Sequence, residues 1–395
     1  MSIEQKNSSS LENERASILF FHNTLPEYRI GWFQNLSKNA NVEFVFTNEE
    51  LNKKDYGFDI DYERSKELKS YYLPEGKNGF KELKKIMEGI DKYDFVELPP
   101  IDSLKEAIYS YYIVKMCKRR GVKIGYFWEK WEAPKEFQPI KRKIKNMILR
   151  IVPKIIYMNS DVFLAVGRKS KSYFLANGVP DKKIKIIPDV SETVKCEYFN
   201  IREKHHIPES KKIIMFLGRM LPQKGAKGLI EAFNLLEKDV KEKYHLLIVG
   251  DGEDLDACKK LAEQLKLENI TFAGSVNPSQ RENYFKQCDI FVYPVTYESG
   301  WVDVWGLTIN EAVQHGKIVI TTDAVGSAYE LITDGVNGYR VKPDSVEALK
   351  DAILKVDKND MTESAKNEDA ILMKKFNYEN MAREYLEIVD EVIDK

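Results

Sequence analysis

Residues 212–240 read KIIMFLGRMLPQKGAKGLIEAFNLLEKDV: an apolar run ends at Gly218, a loop carries Arg219 and Lys224, and an amphipathic stretch follows. The first part has the composition of a strand bounded by glycine, and the last has apolar residues at helical spacing. The same succession recurs on both sides. Downstream, YHLLIVG (244–250), NITFAG (269–274), DIFVYPV (289–295), KIVITT (317–322) and GYRVKP (338–343) read as strands, with helical segments such as DACKKLAEQLKL (256–267) between them. Upstream, SILFFH (17–22), VEFVF (42–46), YDFVEL (93–98), VKIGYFW (122–128) and DVFLAV (161–166) do the same, and SLKEAIYSYYIVKMCKRRG (103–121) is a helix ended by Gly121. Alternation of this kind predicts parallel α/β units rather than a bundle or a sandwich.

The polar stretch 188–210, PDVSETVKCEYFNIREKHHIPES, interrupts the alternation and is the best boundary. The predicted organisation is a disordered tail over residues 1–15, an N-terminal Rossmann-like doubly wound domain over 16–196, a second over 197–375, and a C-terminal helix over 376–395 for which the N-terminal domain is one docking place. Two such domains in tandem face each other across a cleft at the carboxyl ends of their strands, where these folds bind ligands.

Composition narrows the function classes. With 395 residues and 43% hydrophobic side chains the chain can bury sizeable cores, and no apolar run approaches the roughly 18 residues of a membrane span. The opening MSIEQKNSSSLENERAS has neither a basic start nor an apolar stretch, so a cytoplasmic protein is expected. Cys117, Cys196, Cys258 and Cys288 are scattered and read as reduced, structural thiols. The net charge of -1 hides an asymmetry, with +7 over residues 1–200 and -8 over the rest. Residues 101–150 hold 13 basic and 5 acidic side chains, so an anionic partner is expected on that half.

A Walker loop and a dinucleotide glycine fingerprint are both missing from the sequence, which removes the ATPase and dehydrogenase readings. Arg219 and Lys224 suit a diphosphate, since guanidinium binds phosphate oxygens through two donors and ammonium is a mobile point charge; Gly218 lets the chain turn close to the ligand. The second element is DVWGLTINEA (303–312). If Gly306 ends a turn and a helix begins at Leu307, its free N–H groups form an anion site, while Asp303 and Glu311 flank it as acceptors for sugar hydroxyls. The plainer alternative leaves Asp303 as a helix-capping acid and Glu311 on the surface.

These residues resemble the donor-site pattern of retaining family 4 glycosyltransferases of GT-B fold, kin to glycogen and sucrose synthases. DVWGLTINEA is similar to their two-acid motif, LGRMLPQKG (217–225) to their Gly-Arg and Lys-Gly segment, and VGDGEDL (249–255), with Gly250 and Gly252, to their Gly-Asp-Gly turn. CDIFVYPVTYES (288–299) and the tail 317–353 are similar too; the likeness is specific over 211–357 and looser at ILFFHNTLPEYRIGWF (18–33). It implies a retaining enzyme that moves a sugar from a nucleotide-diphosphate sugar to an acceptor hydroxyl in cell-envelope polysaccharide or glycolipid synthesis. Arg219 and Lys224 would neutralise the diphosphate, amides near Gly306 and Leu307 would hold the distal phosphate, Glu311 the ribose and Asp303 the transferred sugar. Asp303 departs from the pattern, which has Glu there. Where the family often carries a histidine after a mid-domain strand, Trp128 and Glu129 stand, and no catalytic histidine is assigned.

Acceptor contacts are expected from His22, Glu27, Tyr28, Arg29, Trp128 and Glu129. The resemblance implies no cofactor and no metal; the pairs Asp59/Asp61 and Asp254/Asp256 have metal-site spacing but follow no apolar strand. The segment 139–156, PIKRKIKNMILRIVPKII, alternates apolar and basic positions at helical spacing and ends near Pro153, a helix breaker. It is either a peripheral contact with the inner face of the membrane, fitting a lipid-linked acceptor, or a surface helix on the first sheet. No nucleic-acid partner is indicated. The rival functions are another GT-B enzyme, such as a nucleotide-sugar epimerase or a phosphorylase, and an inert nucleotide-sugar-binding partner of a transferase.

Overall fold

The computed structural model describes residues 15–49, 62–140, 151–191, 193 and 196–394. The apolar runs form two parallel sheets. The first has seven strands, β1 Ser17–His22, β2 Asn41–Phe46, β3 Ser70–Tyr72, β4 Phe95–Leu98, β5 Lys123–Phe127, β6 Val162–Ala165 and β7 Ile184–Ile186, in the order β3-β2-β1-β4-β5-β6-β7. The second has six, β8 Lys212–Leu217, β9 Tyr244–Val249, β10 Ile270–Gly274, β11 Ile290–Tyr293, β12 Ile318–Thr322 and β13 Gly338–Val341, in the order β10-β9-β8-β11-β12-β13. Strand β9 is buried throughout and β8 beyond its first residue, as in sheets covered on both faces. Strands β3 and β7 were not among the predicted runs. Each is three residues long and only partly buried, too short for a period to show.

In each sheet the strand order reverses beside the first strand, between β1 and β4 and between β8 and β11. Loops leaving the carboxyl ends there run in opposite directions and open a crevice. That reversal positions the candidate site.

Seven helices matter below: α1 Glu27–Asn39, α2 Leu104–Arg120, α3 Ile151–Asn159, α4 Ala226–Asn234, α5 Arg281–Gln287, α6 Leu307–Gln314 and α7 Tyr378–Ile393. The Ser103 hydroxyl accepts from the Lys105 and Glu106 amides to start α2, and Gly121 ends it in the left-handed conformation that the sequence predicted. Helix α3 continues through Pro153, against the expected break there. The rest of the basic amphipathic segment, residues 141–150, lies outside the described residues, as do residues 1–14 of the tail and the Asp59/Asp61 pair.

After the second sheet the chain returns to the first. Helix α7 packs on α1, where the Tyr378 hydroxyl donates to the Tyr28 carbonyl, and Tyr385 donates to Glu97 Oε2 on β4 at 3.2 Å. Lys185 on β7 pairs with Glu391 at 2.7 Å. Ile18, Phe20 and Phe95 of the first sheet and Trp32 of α1 thereby share one apolar core with Tyr378, Tyr385 and the interior of the second sheet. The opposite face of the first sheet has its own core, with Leu19, Phe21, Ile113 and Tyr126.

Candidate functional site

The second sheet supplies a charged centre at its reversal point. Arg219 follows β8, and Lys224 sits at the end of the short turn that leads into α4. The loop holding Arg219 depends on the two glycines after β9. A side chain on Gly250 would place its Cβ 1.8 Å from the Gly218 carbonyl, and on Gly252 2.4 Å from that of Met220. Their role in the protein is to let two backbones touch, which fixes the direction of the Arg219 loop. Gly218 itself is not required by the backbone. Its φ is not in the left-handed region, and a Cβ there would make ordinary contacts at 3.5 Å with Phe216 and Tyr293.

Lys224 is the centre of the site. Its side chain is 9% exposed, and Nζ donates to Asp303 Oδ2 at 2.7 Å. It also donates to the Tyr293 hydroxyl, which in turn donates to Asp303 Oδ2 at 2.7 Å. The Trp301 ring lies under the ammonium, 4.4 Å from Nζ to the centroid. Burial works to raise the Asp303 carboxyl, but Lys224, Tyr293 and Arg219 outweigh it and hold the pKa below the usual range. Asp303 is therefore an anion bound to Lys224, rather than the solvent-facing cap of the plainer alternative. Its loop is strapped in place by backbone bonds from Asp303 N to Ala324 O and from Gly326 N to Asp303 O, both 2.9 Å.

Gly306 takes φ 84° and α6 starts at Leu307, as the sequence predicted. A Cβ on Gly306 would meet Val325 Cγ1 at 2.7 Å, so glycine is required there on both conformational and steric grounds. The start of α6 lies beside Asp303 and Tyr293, since a Cβ on Gly306 would be 3.6 Å from Asp303 Cγ and 3.4 Å from Tyr293 Cε1. Glu311 lies one turn further in and pairs with Arg281 of α5 at 3.1 Å. Burial raises its pKa, with Arg281 opposing and with Glu282 and Glu27 adding to the rise. Glu27, at the start of α1, is thus close enough to Glu311 to affect its charge, so the two sheets face each other here.

The first sheet forms a second concavity at its own reversal point. A cleft of about 230 Å³ is lined by residues that include His22, Tyr28, Asp102, Trp128 and Glu129. Four of the six predicted acceptor residues are there. Glu27 and Arg29 are not. Glu27 pairs with Arg64 at 3.2 Å on the surface. Arg29 is 1% exposed and is clamped between Glu129 and Asp189, the latter at 3.1 Å, with the Phe127 ring 4.8 Å from its guanidinium carbon. Burial disfavours its charge, but Asp189 and Glu129 outweigh that and push its pKa up. Arg29 is a buried cross-brace behind the cleft.

A further hollow of about 180 Å³ lies at the amino ends of β8, β11 and β12, lined by Lys212, Asp289 and Lys317 among others. Ligands of such folds bind at the opposite end of the strands, so the crevice is the better site. Among the described residues no cluster of three or more His, Cys, Asp or Glu side chains has the arrangement of a metal site. Asp254 instead starts a helix and accepts from the Cys258 thiol at 3.6 Å. All four cysteines are free. No described helix is long and apolar enough to cross a membrane.

Comparison with known proteins agrees with this geometry. Residues 197–372 match the family model of glycosyl transferases group 1. An uncharacterised glycosyltransferase of Methanocaldococcus jannaschii is 31% identical over 259 residues, 64% of each chain. The lipopolysaccharide 1,2-N-acetylglucosaminetransferase of Salmonella typhimurium is 25% identical over 60% of this chain and 64% of its own. The chain thus spans somewhat under two thirds of the length of these relatives. Among solved structures, Anabaena HepE in complex with UDP superposes with a TM-score of 0.72 at 16% identity, over 95% of this chain and 100% of that one. Sucrose-phosphate synthase from Thermosynechococcus elongatus gives 0.68 at 16%, over 96% and 99%. The fold is GT-B, and residues 197–372 of the chain are similar to the glycosyl transferases group 1.

Proposed function

We propose that the protein is a glycosyltransferase that moves a sugar from a nucleotide-diphosphate sugar to an acceptor hydroxyl, with retention at the anomeric carbon, in the synthesis of an envelope polysaccharide or glycolipid. The observation that carries this reading is the Lys224–Asp303–Tyr293 triangle beside the start of α6. An ammonium has three protons. Two go to Asp303 and Tyr293, and the third serves a phosphate oxygen. Arg219 and the amides of Gly306 and Leu307 complete the diphosphate grip, while Glu311, oriented by Arg281, takes ribose hydroxyls.

In the reaction the bond between the anomeric carbon and the diphosphate oxygen breaks, and negative charge develops on the leaving group. Cations and amides already in position stabilise that charge without reorganisation. The acceptor oxygen attacks from the same face, and its proton passes to the departing phosphate. Asp303 orients Lys224 with Oδ2 and offers its other oxygen to a hydroxyl of the transferred sugar. No metal or cofactor has a part in this scheme. UDP in the HepE complex supports a nucleotide-diphosphate donor, and the Salmonella relative supports an envelope acceptor.

The basic segment 139–156 is proposed to rest on the anionic inner face of the membrane. Ile140 at its start and Met158 just beyond its end, 74% and 73% exposed, present apolar surface. Flotation with anionic liposomes at low salt tests this, and no binding leaves the segment an ordinary surface helix. The central test is donor hydrolysis across UDP-, GDP-, ADP- and dTDP-sugars. One of them should be turned over slowly without acceptor; hydrolysis of none, with no heat of binding by calorimetry, ends the transferase reading.

A further inference from the structure

The polar atoms of the first-sheet cleft are unevenly divided between donors and acceptors. His22 is buried, and burial together with Arg29 pushes its pKa down to about 3, so the ring is neutral. Its Nδ1 lies 2.9 Å from the Thr24 carbonyl and must donate there, which leaves Nε2 as an acceptor. Asp102 accepts from Asn23 Nδ2 at 3.2 Å and from Trp128, with lone pairs remaining. Glu129 is held by Arg29 through Oε1 and is 32% exposed towards the cleft. The Thr24 hydroxyl is a hydrogen-bonding group on this wall with no partner, in a residue only 2% exposed. Tyr28, Phe127 and Trp128 line the remainder together with Asn23, Pro26 and Pro100.

Such a wall does not suit a phosphate. Phosphate oxygens bring acceptors and negative charge to a surface that already presents two carboxylates, whereas a sugar ring brings hydroxyl donors and a C–H face for the aromatics. Lys130, whose Nζ lies 5.1 Å from the Trp128 ring centroid, is the nearby cation, and its charge acts on Asp102.

We propose that the acceptor group bound in this cleft is a neutral, hydroxyl-rich ring of the pyranose type, which donates to Asp102 and Glu129 and meets the Thr24 hydroxyl, with Arg29 and Asp189 as positioning residues for Glu129. The inference rests on the transferase reading and narrows its acceptor. The positioning reaches the other sheet. The backbone carbonyl of Asp189 accepts from Asn310 Nδ2 on α6 at 3.2 Å, and Asn310 Oδ1 accepts from Trp305 Nε1 at 2.8 Å. Glu129 at the acceptor wall is thereby linked through Arg29 and Asp189 to the helix proposed to hold the donor phosphate.

The test uses the full chain and the donor identified by hydrolysis. Transfer is measured to methyl pyranosides of gluco, galacto, manno and N-acetylglucosamine type, and to glycerol 3-phosphate and the matching sugar phosphates. A methyl pyranoside should be the better acceptor by about tenfold in kcat/KM. Asp102→Asn and Glu129→Gln should each raise acceptor KM about tenfold while donor KM moves less than about twofold, a split that general loss of folding would not produce. Arg29→Lys, which keeps the charge and loses the fork, should move acceptor KM in the same direction. Preference for a phosphorylated acceptor, transfer to no pyranoside, or an unmoved acceptor KM in both cleft variants would overturn the inference. Donor hydrolysis in the same preparations separates that failure from failure of the transferase reading itself.

Discussion

Lys224 is a cation that the fold has almost removed from water, and that condition is tolerable only while Asp303, Tyr293 and the Trp301 ring surround it. Lys224→Ala should lower turnover about 100-fold or more and, by leaving Asp303 buried without its counter-charge, lower the melting temperature of a chain that still folds, measured by donor hydrolysis beside calorimetric unfolding. In the same variant burial acts on Asp303 without its main counter-charge, so that carboxyl should titrate higher and near-neutral activity should become sensitive to acid. Tyr293→Phe removes one donor to Asp303 and one partner of Lys224, and should cost about tenfold in turnover with donor affinity affected less. Charge, spacing and the family resemblance singled out Arg219, Lys224, Asp303 and Glu311 in the sequence, and the structure joins Lys224 to Asp303 and Glu311 to Arg281. Tyr293 was not singled out, since an aromatic at the end of an apolar strand reads as core. Neither was Arg281, whose pairing with Glu311 spans 30 positions that no local pattern connects. The error with Arg29 has the opposite cause. A charged residue in a loop-to-helix junction reads as accessible until the fold brings Asp189 and Glu129 against it.

At the scale of elements, periodicity located eleven of the thirteen strands and missed the two shortest. The sequence offered the N-terminal domain as one docking place for α7 but no partner element, because an amphipathic helix declares that one face is buried without saying against what. The answer is α1, and it depends on Gly31, where an added Cβ would lie 2.5 Å from the Tyr378 ring. Gly31→Val should force α7 away from α1. The expected result is a melting temperature lower by several degrees, since about 1 kcal/mol shifts it by a few degrees in a protein of this size, together with faster proteolysis before residue 378. A variant that melts like the parent and resists protease equally would show that the two helices separate freely.

Across the whole molecule, three buried carboxyls share an unusual condition. Burial comes first in each: Glu97 and Asp369 are pushed up to about 8, against opposing hydrogen bonds from Phe127 and Tyr385 and from Asn337, and Asp189 is raised by burial and by Glu129 beside it, against the Arg29 guanidinium it pairs with. Each has a folded pKa above its unfolded value, so the native state binds protons that the unfolded chain has released. Stability should therefore fall as pH rises from about 4 to above 8, giving a higher melting temperature near pH 6 than near pH 9. Glu97→Gln should flatten part of that slope, and an identical slope in the variant would remove Glu97 from the account. Glu97 also joins the last helix to the fourth strand through Tyr385. Vectorial synthesis gives that link a timing. As the chain leaves the ribosome, the first sheet emerges early with the surface around Phe20, Trp32 and Phe95 uncovered, and the helix that covers it is made some 280 residues later. Until then the amino-terminal half must wait with an unfinished interior, a natural client for chaperones in the interval.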